Sequence, residues 1–250
     1  SQTRRCLPEA LRSAICLVST RPEKILALQF KYFGDAVLLT PALRALRDNF
    51  PAAELHLLIP AEIAPLFQHL PWLTRVWAMP RRRGRASLRE TWPLICALRR
   101  ERFHRSVDFA SNDRRAILSF FIGATRRLGW AERGGFFGRR FFYTDRVTPE
   151  RPQPHESVRL VQLLSGWQIL SPKSLQSEIR ADAALAEAAE KILPEKNAVI
   201  CHVASSQPKK EWPLAHWAAF HRLAAAAGFK LVFTTARGER EAALMAEFKQ

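Results

Sequence analysis

The sequence predicts an α/β protein built on a parallel, doubly wound sheet. Lys24-Ile25-Leu26-Ala27-Leu28-Gln29-Phe30 is a mostly apolar run that reads as a strand buried on both faces. A short loop then ends in Gly34, and the apolar-periodic segment 36–43 reads as the helix that follows. Strand and helix patterns alternate from there to Gly129, and the alternation restarts at Asn197.

Each element follows from its own pattern. Segment 54–59 reads as the second strand, 61–70 as a helix and 75–79 as the third strand. Segment 88–102 is helical, 106–109 a short strand, 114–121 a helix, and 125–129 leads back toward the sheet. Residues 130–154, rich in Gly, Arg and Phe without a clean period, read as loop. Helix resumes over 155–164, and Pro172 in a polar run marks a linker. Beyond it come a strand at 198–203, a helix at 212–227 stopped by Gly228, a strand at 230–234 and a helix at 239–248. The chain thus divides into a basic segment 1–23, a first domain over 24–172 and a second over 173–250. Two strand and helix pairs make a poor parallel domain, and the sequence stops inside a helix, so the second domain is expected to be incomplete.

Composition narrows the function classes. The chain has 250 residues, is 48% apolar and carries a formal charge of +16, enough for a globular core surrounded by a field that favours anionic partners. Cys6, Cys16, Cys96 and Cys201 form no C-x-x-C pair and have no His at metal-ligand spacing, which argues against a zinc site or disulfide framework and for a reducing, cytoplasmic setting. No run reaches the roughly 18–20 apolar residues needed to cross a bilayer. Leu7, Leu11, Ala14, Ile15 and Val18 recur at near-helical spacing among Arg4, Arg5 and Arg12, with Arg21 just beyond. Such a basic amphipathic helix either packs on the protein body or lies on an anionic membrane surface.

Asp35 follows the first strand where the helix begins. That carboxyl end of a strand is where open α/β sheets bind ligands. The residue is either a helix-capping acid or a carboxylate placed for chemistry.

Two distant strings supply more. Gly34-Asp35-Ala36-Val37-Leu38-Leu39-Thr40-Pro41-Ala42-Leu43-Arg44-Ala45-Leu46-Arg47, followed by Phe50-Pro51, resembles the opening signature of glycosyltransferase family 9, the ADP-heptose:lipopolysaccharide heptosyltransferases. His202-Val203-Ala204-Ser205-Ser206, then Lys210-Glu211-Trp212-Pro213 and Trp217, resembles the family's K-x-W-P segment at the start of its second domain. Val107-Asp108, the stretch 123–129 and His155 before a leucine-rich helix resemble the family in order and spacing, so the likeness runs from about Lys24 to Glu247. It implies the GT-B architecture, two Rossmann-like domains with the acceptor held by the first and the nucleotide sugar by the second.

The resemblance also implies roles. Asp35 would be the general base for an acceptor hydroxyl attacking the anomeric carbon of ADP-heptose with inversion. Lys210 would neutralise the leaving diphosphate, while Ser205 and Ser206 would donate hydrogen bonds to it. The alternatives are an exposed lysine near a helix start and ordinary turn hydroxyls. Glu239 falls where the family places an acid on the ribose, and a first-turn helix acid is the other reading. Arg81, Arg82, Arg83 and Arg85, with Arg127, suit an inner-core acceptor bearing carboxylates and phosphates, unless the run is simply a solvated loop.

No D-x-D motif occurs, so metal-independent transfer without a cofactor is expected, on the cytoplasmic face of the inner membrane. The family's later Asp-Thr-Gly and following His are absent from this sequence. Other readings are a family member using a different nucleotide sugar or acceptor, or a noncatalytic acceptor-binding module. A nucleic-acid binder using arginine and aromatic side chains fits less well, since no recognised binding motif is present and an acidic acceptor explains the basic residues; nucleic acid is not an expected partner.

Overall fold

The computed structural model describes residues 22–80, 88–110, 113–131, 139–152, 154–193, 198–205, 208–235 and 238–248. The chain forms two compact units that divide between Ala181 and Asp182.

The first unit is a parallel sheet of β1 (Lys24–Leu28), β2 (Glu54–Pro60), β3 (Arg75–Met79), β4 (Arg105–Asp108), β5 (Arg126–Trp130) and β6 (Asp145–Val147), in the order β3-β2-β1-β4-β5-β6. Ile25 stands between Leu55 and Arg105 in the register. The strands alternate their side chains between two apolar layers, which is why β1 and β2 read as continuous apolar runs. On one face, Ile25, Ala27, Leu55 and Leu57 pack with Leu43 and Leu46 of α2 (Thr40–Asn49) and with Leu160 and Leu163 of α5 (Glu156–Leu163). On the other, Leu26, Leu28 and Leu58 meet Ile95 and Leu98 of α3 (Leu88–Arg100) and Leu118 and Ile122 of α4 (Asp113–Ile122).

In the first unit the structure departs from the sequence expectation at four places. The helix after Gly34 is broken into α1 (Phe33–Val37) and α2, because Pro41 has no N–H to offer Val37; the Thr40 hydroxyl donates to that carbonyl instead, at 2.8 Å. Segment 61–70 is a chain of tight turns rather than a helix. Ile63 N–H bonds the Pro60 carbonyl and Phe67 N–H the Ala64 carbonyl, both at 3.0 Å and both three residues back, around Pro65. Ile63, Ala64, Phe67 and Leu70 are nonetheless buried, so the apolar spacing marked the core without marking the helix. The expected loop 130–154 contains β6, a short edge strand of alternating exposure. Finally, the first unit continues past Pro172. Glu178 N–H donates to the Thr40 hydroxyl at 2.9 Å, and Trp72 Nε1–H donates to the Glu178 carboxylate at 3.2 Å, so polar residues that look like a linker are stitched to the sheet layer.

The second unit holds α6 (Ala183–Ile192), which the sequence reading had passed over, then β7 (Ala198–His202), α7 (Leu214–Ala226), β8 (Lys230–Thr234) and α8 (Glu239–Phe248). Asp182 caps α6 by accepting the Leu185 N–H at 2.7 Å. β7 and β8 pair in parallel, Ala198 opposite Lys230. Trp217 meets Trp212 and Phe233 edge to face, forming the aromatic side of this unit.

Candidate functional site

Connectivity reverses direction between β1 and β4, the switch point of a doubly wound sheet, and open α/β sheets bind ligands outside the carboxyl ends of the strands at such a point. Both strands carry a buried polar side chain there. Gln29, fully buried, uses Oε1 to accept the N–H of Phe30 at 3.0 Å and of Lys31 at 3.3 Å, bracketing the backbone as it leaves the sheet. Asp108, also fully buried, accepts the Ala110 N–H at 2.9 Å and the Tyr143 hydroxyl at 2.6 Å. Gly129 of β5 lets the Tyr143 ring come this close, since a Cβ there would lie 2.5 Å from ring carbons.

Asp35 stands on α1 just beyond β1. It is the third residue of that helix, not its N-cap, and its Oδ2 accepts the Tyr32 N–H at 3.2 Å. The two readings of Asp35 are therefore compatible: one oxygen holds the helix start while the half-buried carboxylate stays within reach of solvent. Its Oδ1 lies 3.8 Å from Lys31 Nζ, which donates at 2.8 Å to Glu156 Oε1. Arg159 grips Glu156 with Nε at 2.8 Å and Nη2 at 3.0 Å, and its guanidinium lies 5.0 Å from the Trp130 ring. Arg159 above all, assisted by Lys31 and opposed by burial, brings the Glu156 carboxyl down to about 2. Glu156 and Arg159 are neighbours on one helix, but Lys31 is 125 residues from Glu156 and only the fold brings it to them.

In the second unit the loop after β7 passes Ser205 and reaches Lys210 in a single 3₁₀ turn before α7. Lys210 is exposed. The Ser205 N–H donates to Glu211 at 2.8 Å, and Arg240 of α8 pairs with Glu211 while donating to the Ser205 carbonyl at 3.2 Å. Arg240 chiefly, and then the Ser205 N–H, hold the Glu211 carboxyl below its ordinary range, and Glu211 raises Arg240 in return. Glu211 and Arg240 thus hold the Ser205 backbone, a pairing that residue spacing alone does not reveal. Glu239 is the first residue of α8 and is exposed. Ser206 lies outside the described residues, as do Arg81, Arg82, Arg83, Arg85 and residues 1–21.

Arg127 is a correction. It sits opposite Ser106 near the amino end of β5, the wrong edge of the sheet for an acceptor contact. Its Nε donates to the Phe142 carbonyl at 2.7 Å and Nη1 to the Ala124 carbonyl at 2.8 Å, so its fork is occupied in fastening loops.

The family model described as glycosyltransferase family 9 (heptosyltransferase) matches residues 91–250. The chain belongs to glycosyltransferase family 9. Among curated relatives of this family 9 chain, lipopolysaccharide heptosyltransferase 2 of Escherichia coli K12 is 28% identical over 107 residues, 43% of this chain and 31% of the relative. Lipooligosaccharide heptosyltransferase 2 of Haemophilus ducreyi is 23% identical over 220 residues, 83% of this chain and 62% of the relative. The matched part therefore spans less than two thirds of either enzyme. The glycosyl transferase family 9 structure from Veillonella parvula superposes with TM-score 0.77 at 17% identity, over 90% of this chain and 66% of that one. E. coli heptosyltransferase WaaC with ADP gives 0.70 at 18%, over 91% and 71%. At such identities the likeness is one of fold. Two parallel α/β units in tandem are what a GT-B family 9 chain is made of. Among the described residues, no helix of it is long and apolar enough to cross a membrane.

Proposed function

We propose that this family 9 chain serves the inverting transfer of heptose from ADP-heptose to the inner core of lipopolysaccharide, with Asp35 as general base. The observation that carries the reading is the place of Asp35: on the first turn after β1, beside the switch point, anchored through Oδ2 by the Tyr32 N–H and accessible at its other oxygen. In the step assigned to it, an acceptor hydroxyl oxygen forms a bond to the anomeric carbon as the carbon–oxygen bond to the diphosphate breaks. The hydroxyl proton passes to the Asp35 carboxylate, and ADP leaves with the bonding electron pair.

The second unit takes the donor in this reading. Lys210 offsets charge that grows on the departing diphosphate, Ser205 and Ser206 donate to it, and Glu239 accepts from the ribose hydroxyls. Glu211 and Arg240 support that reading by holding Ser205 at its N–H and its carbonyl. Arg81, Arg82, Arg83 and Arg85 would meet the carboxylates and phosphates of the acceptor, and the basic segment 1–23 the anionic cytoplasmic face of the inner membrane. We also propose that no metal or cofactor takes part.

The test is ADP release from ADP-heptose in the presence of EDTA, with and without Kdo-lipid A. Release is expected only with acceptor, and Asp35→Asn is expected to slow it by about 10²-fold or more while leaving the circular dichroism spectrum unchanged. Equal turnover by the variant removes Asp35 as base, and turnover restored only by added divalent cation removes metal independence. Acceptor binding with no turnover leaves a binding module.

A further inference from the structure

The contacts around Asp35 contain an asymmetry. Lys31 lies four residues before Asp35 and could pair with it directly, yet its ammonium is 3.8 Å from Asp35 Oδ1 and 2.8 Å from Glu156 Oε1. The shorter contact is a charge-assisted hydrogen bond and the longer is beyond hydrogen-bond range. Glu156 is in no position to follow Lys31, because Arg159 holds both of its oxygens. Arg159 is itself 5% exposed and set against Trp130. The backbone of Lys31 is fixed as well, by Gln29 Oε1.

We propose that Glu156 is a positioning residue that holds the Lys31 ammonium off Asp35, so that Asp35 Oδ1 remains open to a substrate hydroxyl. This rests on the reading of Asp35 as the base. A lysine that closed onto Asp35 would occupy the lone pair needed for the proton and make the carboxylate a weaker base. A lysine at 3.8 Å leaves Oδ1 uncovered. The charged or titratable groups facing the pair are, from α5, Glu156 and Arg159, with His155 at the α5 N-cap bonded to Ser157, while Tyr32 meets Asp35 through its backbone N–H.

Two substitutions should then act in opposite directions. Glu156→Gln frees Lys31 to pair with Asp35, and Lys31→Met removes the cation. In the full chain with ¹³C-labelled aspartate, the Asp35 carboxyl resonance, assigned by its loss in Asp35→Asn, is followed against pH. Its midpoint is expected to be at least about one pH unit lower in Glu156→Gln than in Lys31→Met, with the unaltered chain between them. Glu156→Asp, which keeps the charge and shortens the reach, should lie between Glu156→Gln and the unaltered chain. In turnover, Glu156→Gln should lower kcat about tenfold, with KM for donor within twofold and the acid limb of the profile displaced in the same direction as the resonance. Midpoints that move together, or not at all, overturn the proposal, and if Glu156→Gln fails to fold, Glu156→Asp and Lys31→Met must still bracket the unaltered chain. The resonance needs no turnover, so failure of transfer in the unaltered chain counts against the base reading alone.

Discussion

Single residues set where this protein is sensitive to acid. His56 of β2 is buried, accepts the Trp77 indole N–H at 3.0 Å through Nδ1, and has Phe103 edge-on at 5.1 Å. Burial pushes its pKa below the ordinary value, against a weaker upward pull from Glu101 and Glu54. The unfolded chain takes up a proton at about pH 6.5 while the folded chain resists it, so the stability from neutral His56 is complete above that pH and is lost as pH falls through the folded value. A proton on Nδ1 would also displace the Trp77 bond, so the same event removes an aromatic contact of the core. The urea midpoint of the unaltered chain should therefore fall as the pH drops below about 6.5, and His56→Gln should flatten that fall. Equal slopes in both proteins would dismiss His56 as the cause. Asp35 shows what was legible at this scale. Its place at the strand end follows from the apolar run and Gly34, but its partner Lys31 is tied to Glu156, 125 residues away, and no local pattern carries that information.

At the level of elements, patterns with many apolar repeats were read well and short ones poorly. β1 and β2 are announced by their side chains because both faces are covered. β6 is an edge strand of three residues, Asp-Arg-Val, so pairing with β5 rather than apolar content defines it. The turns at 61–70 show the limit of periodicity, since Pro65 overrides a spacing that satisfies a helix and a turn alike. The link between β5 and β4 is the most exacting of these element contacts. Gly129→Ala must push the Tyr143 ring away, and with it the hydroxyl that Asp108 accepts inside the sheet. We expect a loss of roughly 2–4 kcal/mol in denaturant unfolding, and Tyr143→Phe combined with Gly129→Ala should cost less than the two separate losses added. Strict additivity would show that the two residues do not act through one contact.

The molecule as a whole is unevenly built. Its first unit has a sheet with two covered faces, whereas in the second Ile200 is 59% exposed and Leu223 71%, and α6 buries no side chain. The alternation of strand and helix predicted both units, because it needs no tertiary information. The border at Ala181 was not legible, because the polar residues before it are held by hydrogen bonds rather than by apolar contacts. In native-state hydrogen exchange, amides of β7 and β8 should exchange at least about 10²-fold faster than those of β1 and β2, since a two-strand sheet with exposed apolar side chains opens locally at low cost. Equal protection would mean that the second unit is as well covered as the first. Arg127 lies near the amino end of its strand, and an arginine in a sequence does not say which edge of the sheet its strand presents.

The chain has two tyrosines, and the fold has sorted them. Tyr143 is locked in the sheet on Asp108, while Tyr32, 67% exposed, starts the short helix that carries Asp35. The tyrosine three residues before the proposed base is thus also the one that an aqueous tyrosine reagent meets first. The protein consequently supplies its own point of attachment for a nitro or iodo reporter, three residues from the carboxylate in question, with no foreign residue introduced.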